Sequence, residues 1–269
     1  MPSSFSPSLL TNTSKLRLIC LPYAGGSSAV YHRWRPIAPS EIDLVPLCLP
    51  GREARISEPF ATDLRQLAGQ FAADMQPVLD RPYALMGHSL GAWLAFELAL
   101  ELRRRADPPP LAHVVAACPP PHQPLRDPTL HQLPDDKLVA EVSRRFDGIP
   151  PAVRNNPELL QLLLPVLRAD MQMGETYRYA DDPPLDAEML ALGGTEDPAV
   201  SPAQLSEWGR HTTKQCTMRF FPGGHFFLFR DENEPGAGRT ATQSRRTPTA
   251  PLQTMFNWLR RMINSQQFH

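Results

Sequence analysis

The chain has 269 residues with 27 basic and 28 acidic side chains, and its formal net charge of −1 argues against a nucleic-acid-binding surface. This length is enough for a full α/β core, so we expect residues 1–269 to form one domain. No apolar stretch approaches the roughly 20 residues that span a bilayer, and residues 1–14 lack a signal peptide's basic and apolar regions. We therefore expect a cytoplasmic protein without membrane contact, beginning with a loose tail.

Six apolar segments with the composition of β-strands alternate with helix-forming segments. They are residues 16–21, 43–49, 83–86, 111–117, 188–192 and 217–221. A helix beginning at Asp63 has apolar side chains at helical spacing from Leu64 to Val78, which indicates a face packed on the core. The alternation predicts an α/β fold with a mainly parallel sheet flanked by helices.

The five residues from Gly87 to Gly91 spell G-x-S-x-G between the strand 83–86 and a helix-forming run, 92–103. A serine at such a strand-to-helix turn is held in a strained backbone with its hydroxyl exposed, and the glycines allow close packing. This context predicts the nucleophile elbow of an α/β-hydrolase, with Ser89 as nucleophile.

An elbow serine needs a base and an orienting acid, which in this fold follow it in the order acid, histidine. His225 comes after a short apolar strand and two glycines, a loop position that suits a general base. Asp197 follows the strand 188–192 and is our choice for the acid, with the adjacent Glu196 as the alternative. An acid after the strand 111–117 is excluded, because no carboxylate occurs between Pro108 and Arg126.

An oxyanion hole requires two backbone N–H donors, one of them from the residue after the nucleophile. Leu90 supplies that donor. The second is expected from the small-residue loop that follows the strand 16–21, where we assign the Ala24 amide, with Tyr23 as the alternative.

The long interval between the strands 111–117 and 188–192 holds candidate helices at 134–146, 157–168 and 170–179. We interpret residues 119–186 as a lid. Its leucines and methionines, Met171 among them, suit either packing on the body of the protein or lining an acyl pocket. No candidate catalytic group lies in this segment, so we expect the lid to control access and not chemistry.

Five segments, in order along the chain, resemble the type II thioesterases, and the resemblance covers about residues 16–230. They are Pro22-Tyr23-Ala24-Gly25-Gly26, Leu49 to Arg55 with Glu58-Pro59, Gly87 to Gly91, Gly193 to Pro198, and Pro222 to Phe227. The Pro-Gly-Arg-Glu part of the second segment is the most specific, because lipases and esterases that share the elbow are not expected to carry it.

Type II thioesterases are stand-alone enzymes that accompany nonribosomal peptide and polyketide synthases. The resemblance therefore implies an α/β-hydrolase that hydrolyses acyl thioesters on the phosphopantetheine arm of acyl or peptidyl carrier proteins. It implies no cofactor of the enzyme's own, because the substrate brings the arm. The four cysteines are widely separated, so we expect reduced thiols and no metal site. We also expect a monomer.

Four residues are candidates for contacting the arm, the carrier or the acyl chain: Tyr23, Arg52, Arg55 and Met171. For the two arginines, a structural role after the second strand is an equal alternative.

Two segments depart from the family pattern. Residues 116–122 lack the expected Ser-x-Arg-Ala-Pro-like sequence, and residues 231–251, rich in Gly, Thr, Arg, Glu and Pro, suggest a mobile surface insertion. Two other functions stay open at this point, namely a general carboxylester hydrolase and a non-catalytic scaffold that binds carrier proteins.

Overall fold

A computed structural model describes residues 4–11, 13–123, 129–230 and 249–265. Its centre is a six-stranded sheet with the strand order β2-β1-β3-β4-β5-β6, in which every neighbouring pair is parallel. The sequence-based prediction of an α/β fold with a mainly parallel sheet is confirmed.

The elements have the following bounds. The strands are β1 (Leu16–Leu21), β2 (Ile42–Pro46), β3 (Tyr83–His88), β4 (Ala112–Ala116), β5 (Glu188–Gly194) and β6 (Cys216–Phe221). The α-helices are α1 (Leu64–Asp74), α2 (Leu90–Arg104), α3 (Asp135–Phe146), α4 (Pro151–Arg154), α5 (Pro157–Thr176), α6 (Pro202–Ser206) and α7 (Ala250–Ser265). Short 3₁₀ helices occupy Pro7–Leu9, Ser28–Trp34, Glu53–Arg55, Gln76–Val78, Leu130–Gln132 and Glu207–His211.

The sheet is covered by helices on both faces, as expected for parallel strands rich in apolar residues. Helices α1 and α2 pack on one face around Phe71 and Phe96. Helix α7 packs on the other face together with Tyr31 and Trp34. Strands β1 to β4 are buried along their whole length, so the sheet is a rigid platform for the loops at its carboxyl edge.

The segment between β4 and β5 differs in detail from the prediction. The two helices expected at 157–168 and 170–179 are one continuous helix, α5, which accommodates Pro165 in its interior. Helices α3 and α5 share a small apolar cluster of their own, which includes Leu138 and Leu167. The predicted lid, residues 119–186, is described except for residues 124–128. Within the described ranges, no helix combines the length and apolar character needed to cross a membrane.

The proposed insertion at 231–251 lies mostly outside the described residues, which resume at Thr249. Its last two residues, Ala250 and Pro251, begin helix α7, so the predicted boundary extended too far. The four cysteines are free thiols, three of them buried.

Candidate active site

Ser89 lies at the turn between β3 and α2, with φ 54° and ψ −125°, a conformation that non-glycine residues rarely adopt. Its N–H donates a hydrogen bond to the Ala116 carbonyl at 2.8 Å, which ties the turn to β4. A Cβ atom on Gly87 would overlap the Gly91 carbonyl, and a Cβ atom on Gly91 would overlap the Leu21 carbonyl. Close packing therefore requires both glycines of the motif.

Ser89 is joined to His225 and Asp197 by hydrogen bonds. The His225 Nε2 atom lies 2.9 Å from the Ser89 Oγ atom, and its Nδ1 atom lies 2.9 Å from the Asp197 Oδ2 atom. The other carboxylate oxygen of Asp197 accepts the Ala199 N–H at 2.8 Å, so the carboxylate is held through both oxygens. The rival acid Glu196 is exposed, and the described residues include no hydrogen bond from its side chain to His225.

The loops after β5 and β6 bring the acid and the histidine together. The Glu196 N–H donates to the Gly223 carbonyl at 2.9 Å, and the Thr195 N–H donates to the Phe221 carbonyl at 2.8 Å. A Cβ atom on Gly194 would overlap the Gly223 carbonyl. The glycines that precede Asp197 and His225 therefore let the two loops approach each other.

This arrangement has the parts needed for nucleophilic catalysis. A carboxylate bonded to Nδ1 favours the imidazole tautomer with a proton on that nitrogen, which leaves Nε2 able to accept the serine proton. The side chains of His225 and Asp197 are only 3 % and 1 % exposed, so water does not compete for the bond between them. The site can therefore activate Ser89 for attack on an acyl carbonyl.

Aromatic rings enclose His225. The Phe146 ring of α3 lies 5.0 Å from the His225 ring, and the Phe226 ring lies 5.3 Å from it, centroid to centroid. The His88 ring lies 5.4 Å away, stacks on Phe226 and touches the edge of Tyr23. Burial, with a smaller contribution from the nearby His225, holds the pKa of His88 well below its ordinary value. His88 is therefore neutral and adds no charge beside His225.

Four other described histidines, His113, His122, His131 and His211, lie away from this site. His113 and His211 pack against Trp208, and burial lowers the pKa of His113 to about 3 and that of His211 to about 4. The His122 Nδ1 atom lies 2.7 Å from the His211 Nε2 atom, and His131 pairs with a glutamate of α5. In the part of the chain that the structure describes, no three His, Cys, Asp or Glu residues form a group suited to a metal ion.

The candidate oxyanion donors lie on both sides of the elbow. Leu90 is the first residue of α2, where backbone N–H groups have no acceptor within the helix. The loop after β1 forms a turn in which the Gly26 N–H donates to the Tyr23 carbonyl at 2.9 Å, with Gly25 at φ 77°. Over the described ranges, the N–H groups of Leu90, Ala24 and Tyr23 donate no hydrogen bond, so both alternatives for the second donor stay open.

The structure gives both candidate arginines partners inside the protein. Arg52 forms a bidentate ion pair with Asp170, with N–O distances of 2.7 and 2.8 Å. Arg55 pairs with Glu58 at 2.6 Å and donates to the Cys48 carbonyl at 3.1 Å. Both arginines are buried. These positions favour the structural alternative over direct contact with a carrier or its arm.

Helix α5 contacts the site directly. A Cβ atom on Gly174 would lie 3.1 Å from the Leu90 side chain, and one on Gly25 would lie 3.3 Å from Leu167. Met171 is half-buried against the apolar cluster that α3 and α5 share, which Ala24 also contacts. Sequence analysis did not predict the contact of Asp170 with Arg52 or that of Phe146 with His225, because the partners are far apart along the chain.

Comparison with known protein families and with individual proteins gives consistent matches. Residues 16–241 match the family described as Thioesterase domain. The gramicidin S biosynthesis protein GrsT of Aneurinibacillus migulanus is 35% identical over 225 residues, which cover 84% of this chain and 88% of that protein.

Two solved structures have closely similar folds. The RedJ thioesterase of the prodiginine pathway in Streptomyces coelicolor is 36% identical, with a TM-score of 0.77 over 81% of this chain and 85% of its own. The type II thioesterase YbtT of a yersiniabactin NRPS/PKS pathway is 27% identical, with a TM-score of 0.76 over 97% of both chains.

Proposed function

The chain belongs to the thioesterase domain family and is a type II thioesterase of the kind found in nonribosomal peptide and polyketide pathways. From this premise we propose that it hydrolyses acyl groups from the phosphopantetheine arm of carrier proteins. Ser89 is the nucleophile, His225 the general base and Asp197 the orienting acid. The observation that carries the proposal is the buried hydrogen-bonded chain through these three residues at a strained elbow.

The reaction proceeds in two steps. His225 accepts the Ser89 proton through Nε2 while Ser89 attacks the thioester carbonyl. The oxyanion that forms is stabilised by the Leu90 amide and by the amide of Ala24, with Tyr23 as the alternative second donor. His225 then gives its proton to the departing thiol, which leaves an ester on Ser89. Water, activated by the same imidazole, releases the acid and restores the serine. Every group in these steps belongs to the chain, to the substrate or to water.

Asp197 acts throughout as the partner of the imidazole. Its carboxylate keeps the His225 proton on Nδ1 before attack and stabilises the imidazolium that forms during attack. The His88 ring, which is neutral, leaves that charge without a competing positive neighbour.

A carrier-bound substrate is supported by the relatives and not by the triad alone. GrsT is named for gramicidin S biosynthesis, and YbtT for an NRPS/PKS pathway. A general carboxylester hydrolase would use the same serine chemistry, so the substrate must be tested separately. A scaffold that only binds carriers has no need of the hydrogen-bonded chain.

The test compares one acyl group on three supports: a phosphopantetheinylated carrier protein, an N-acetylcysteamine thioester and an ethyl ester. We expect kcat/KM to be highest on the carrier and lowest on the ester, and the rate on all three to be lost in Ser89→Ala. Equal rates on the ester and on the carrier would instead make the protein a general ester hydrolase. Wild-type turnover by folded Ser89→Ala would refute the serine mechanism.

A further inference from the structure

The ion pair between Arg52 and Asp170 connects segments that are 118 residues apart. Arg52 follows β2, and Asp170 lies in the second half of the lid helix α5. Their side chains are 8 % and 2 % exposed, and both guanidinium NH₂ groups are bonded to the carboxylate. Two charges are thus removed from water at the junction between the lid and the body of the protein.

Both members of the pair also bind the turn that carries the candidate oxyanion donors. Asp170 accepts the Gly25 N–H at 2.8 Å, and Arg52 donates to the Gly26 carbonyl at 2.7 Å. The turn itself is closed by the bond from the Gly26 N–H to the Tyr23 carbonyl. The pair therefore fixes the peptide groups that directly follow Ala24.

Stability alone does not account for such a pair. Two charges buried together are often no more stabilising than apolar residues of similar volume, because desolvation offsets their attraction. Here the Arg52 Nε–H has no acceptor in the described ranges, so the desolvated guanidinium is not fully satisfied. The pair provides geometric precision, since a bidentate contact between a planar guanidinium and a planar carboxylate restricts the orientation of both side chains.

We propose that Asp170 and Arg52 are positioning residues that hold the Tyr23–Gly26 turn where its backbone N–H can bind the oxyanion. This inference rests on the proposed function. The lid helix α5 is then part of the machinery that stabilises the transition state, in contrast to our expectation from sequence that the lid controls access only. Displacing an oxyanion donor weakens the stabilisation of the transition state more than it weakens substrate binding. The effect therefore falls on kcat.

The test uses Asp170→Asn, which keeps an oxygen for the Gly25 N–H but loses the charge that holds Arg52. The substrate is a short-chain acyl N-acetylcysteamine thioester, and the probe is a short-chain alkyl trifluoromethyl ketone, whose adduct with serine places an oxyanion in the hole. We expect kcat to fall about 10- to 100-fold with KM within about threefold, less than the 10²- to 10³-fold cost of deleting a donor. The Ki of the ketone should rise by the same factor as kcat/KM falls.

Arg168→Gln is the matched control. Arg168 lies on the same helix and donates to the Leu133 carbonyl at 2.8 Å, so its loss loosens lid contacts without touching the turn. Its kcat and its Ki for the ketone should stay within about twofold of wild type. If Asp170→Asn does not fold, Arg52→Lys is used in its place. It alters the other member of the ion pair, because lysine keeps the positive charge but cannot form the bidentate contact.

Two results would overturn the inference. One is a folded Asp170→Asn or Arg52→Lys protein whose melting temperature falls while kcat and the ketone Ki match wild type, which would make the pair purely structural. The other is an equal loss of kcat in Arg168→Gln, which would assign the effect to general loosening of the lid. Ser89→Ala, assayed in parallel, separates this failure from failure of the proposed mechanism: the serine mechanism fails if that variant still turns over the thioester.

Discussion

Replacing Asp197 with asparagine should separate the orienting role of the acid from every other part of the site. In the native structure one carboxylate oxygen holds the Ala199 N–H at 2.8 Å and the other accepts from His225 Nδ1 at 2.9 Å. An asparagine whose oxygen stays on the Ala199 N–H presents its NH₂ group to Nδ1. The imidazole then carries its proton on Nε2 and cannot accept the proton of Ser89.

The size of the effect follows from that change of tautomer. The same substitution in a serine protease lowers kcat by about 10⁴, which corresponds to roughly 5.4 kcal/mol at 1.36 kcal/mol per tenfold change in rate. Because Asp197 is also buried, with 1 % of its side chain exposed, we expect a loss of about 10³ to 10⁴ in kcat. The fold should be retained, since the asparagine has the shape of the carboxylate.

The assay is steady-state hydrolysis of an acyl N-acetylcysteamine thioester, with near-UV circular dichroism to establish that the variant is folded. Glu196→Gln is the matched control, because Glu196 is the adjacent carboxylate and is exposed. Its kcat should stay within about threefold of wild type. A severe loss in Glu196→Gln combined with a mild one in Asp197→Asn would reverse the assignment of the acid and refute this reasoning.

Three further variants test other parts of the account. Gly91→Ala should lower turnover by at least about 100-fold, because its Cβ would overlap the Leu21 carbonyl and displace the elbow; normal kcat/KM would contradict this. Burial lowers the pKa of His113 to about 3 in the folded protein, against about 6.5 in the unfolded chain. Between these pH values only the unfolded chain carries a proton on this residue, so the free energy of unfolding falls as the pH drops below 6.5. His113→Phe, which keeps a ring beside Trp208, should reduce the slope of unfolding free energy between pH 6 and 4 by about 1.4 kcal/mol per pH unit, measured by urea denaturation, and an unchanged slope would exclude His113 as the cause. Phe146 lies on lid helix α3 with its ring 5.0 Å from that of His225, so Phe146→Ala should shift the preferred acyl length while labelling by a small fluorophosphonate stays within a few fold. Equal loss of both activities would contradict the expectation that this part of the lid controls access.

The elbow could be predicted from sequence because its requirements are local. Gly87 and Gly91 lie within two residues of Ser89, and each is needed for a close approach of neighbouring backbone. The acid and base could be placed because each follows a strand of a parallel sheet, where the carboxyl ends of all strands meet at one edge.

Other features depend on contacts that no local pattern contains. The partners of Asp170 are 118 and 145 residues away, so its burial within a lid helix could not be inferred from its neighbours. The expected break in α5 is absent, because apolar side chains continue at helical spacing through Leu167 and Met173. They pack both on the apolar cluster that α3 and α5 share and on the core around Phe71 and Phe96.

Helix α7 is different, because its signal is in the sequence. Its buried residues recur at helical spacing, and they include Leu252, Met255, Phe256, Leu259 and Ile263. Our interpretation extended the polar segment before it to residue 251 and did not identify the helix. This helix completes the second face of the sheet.

The central claim, that Ser89 carries the acyl group during hydrolysis of a carrier-bound thioester, is tested most directly by trapping the intermediate. Enzyme is mixed with a stoichiometric amount of acyl carrier protein, quenched with acid on the millisecond timescale, and examined by intact-protein and peptide mass spectrometry. The account predicts a transient mass increase equal to the acyl group, mapped to Ser89, together with an equal amount of carrier bearing a free thiol. Release of the free thiol with no acyl adduct at any quench time and unchanged turnover in Ser89→Ala would contradict it.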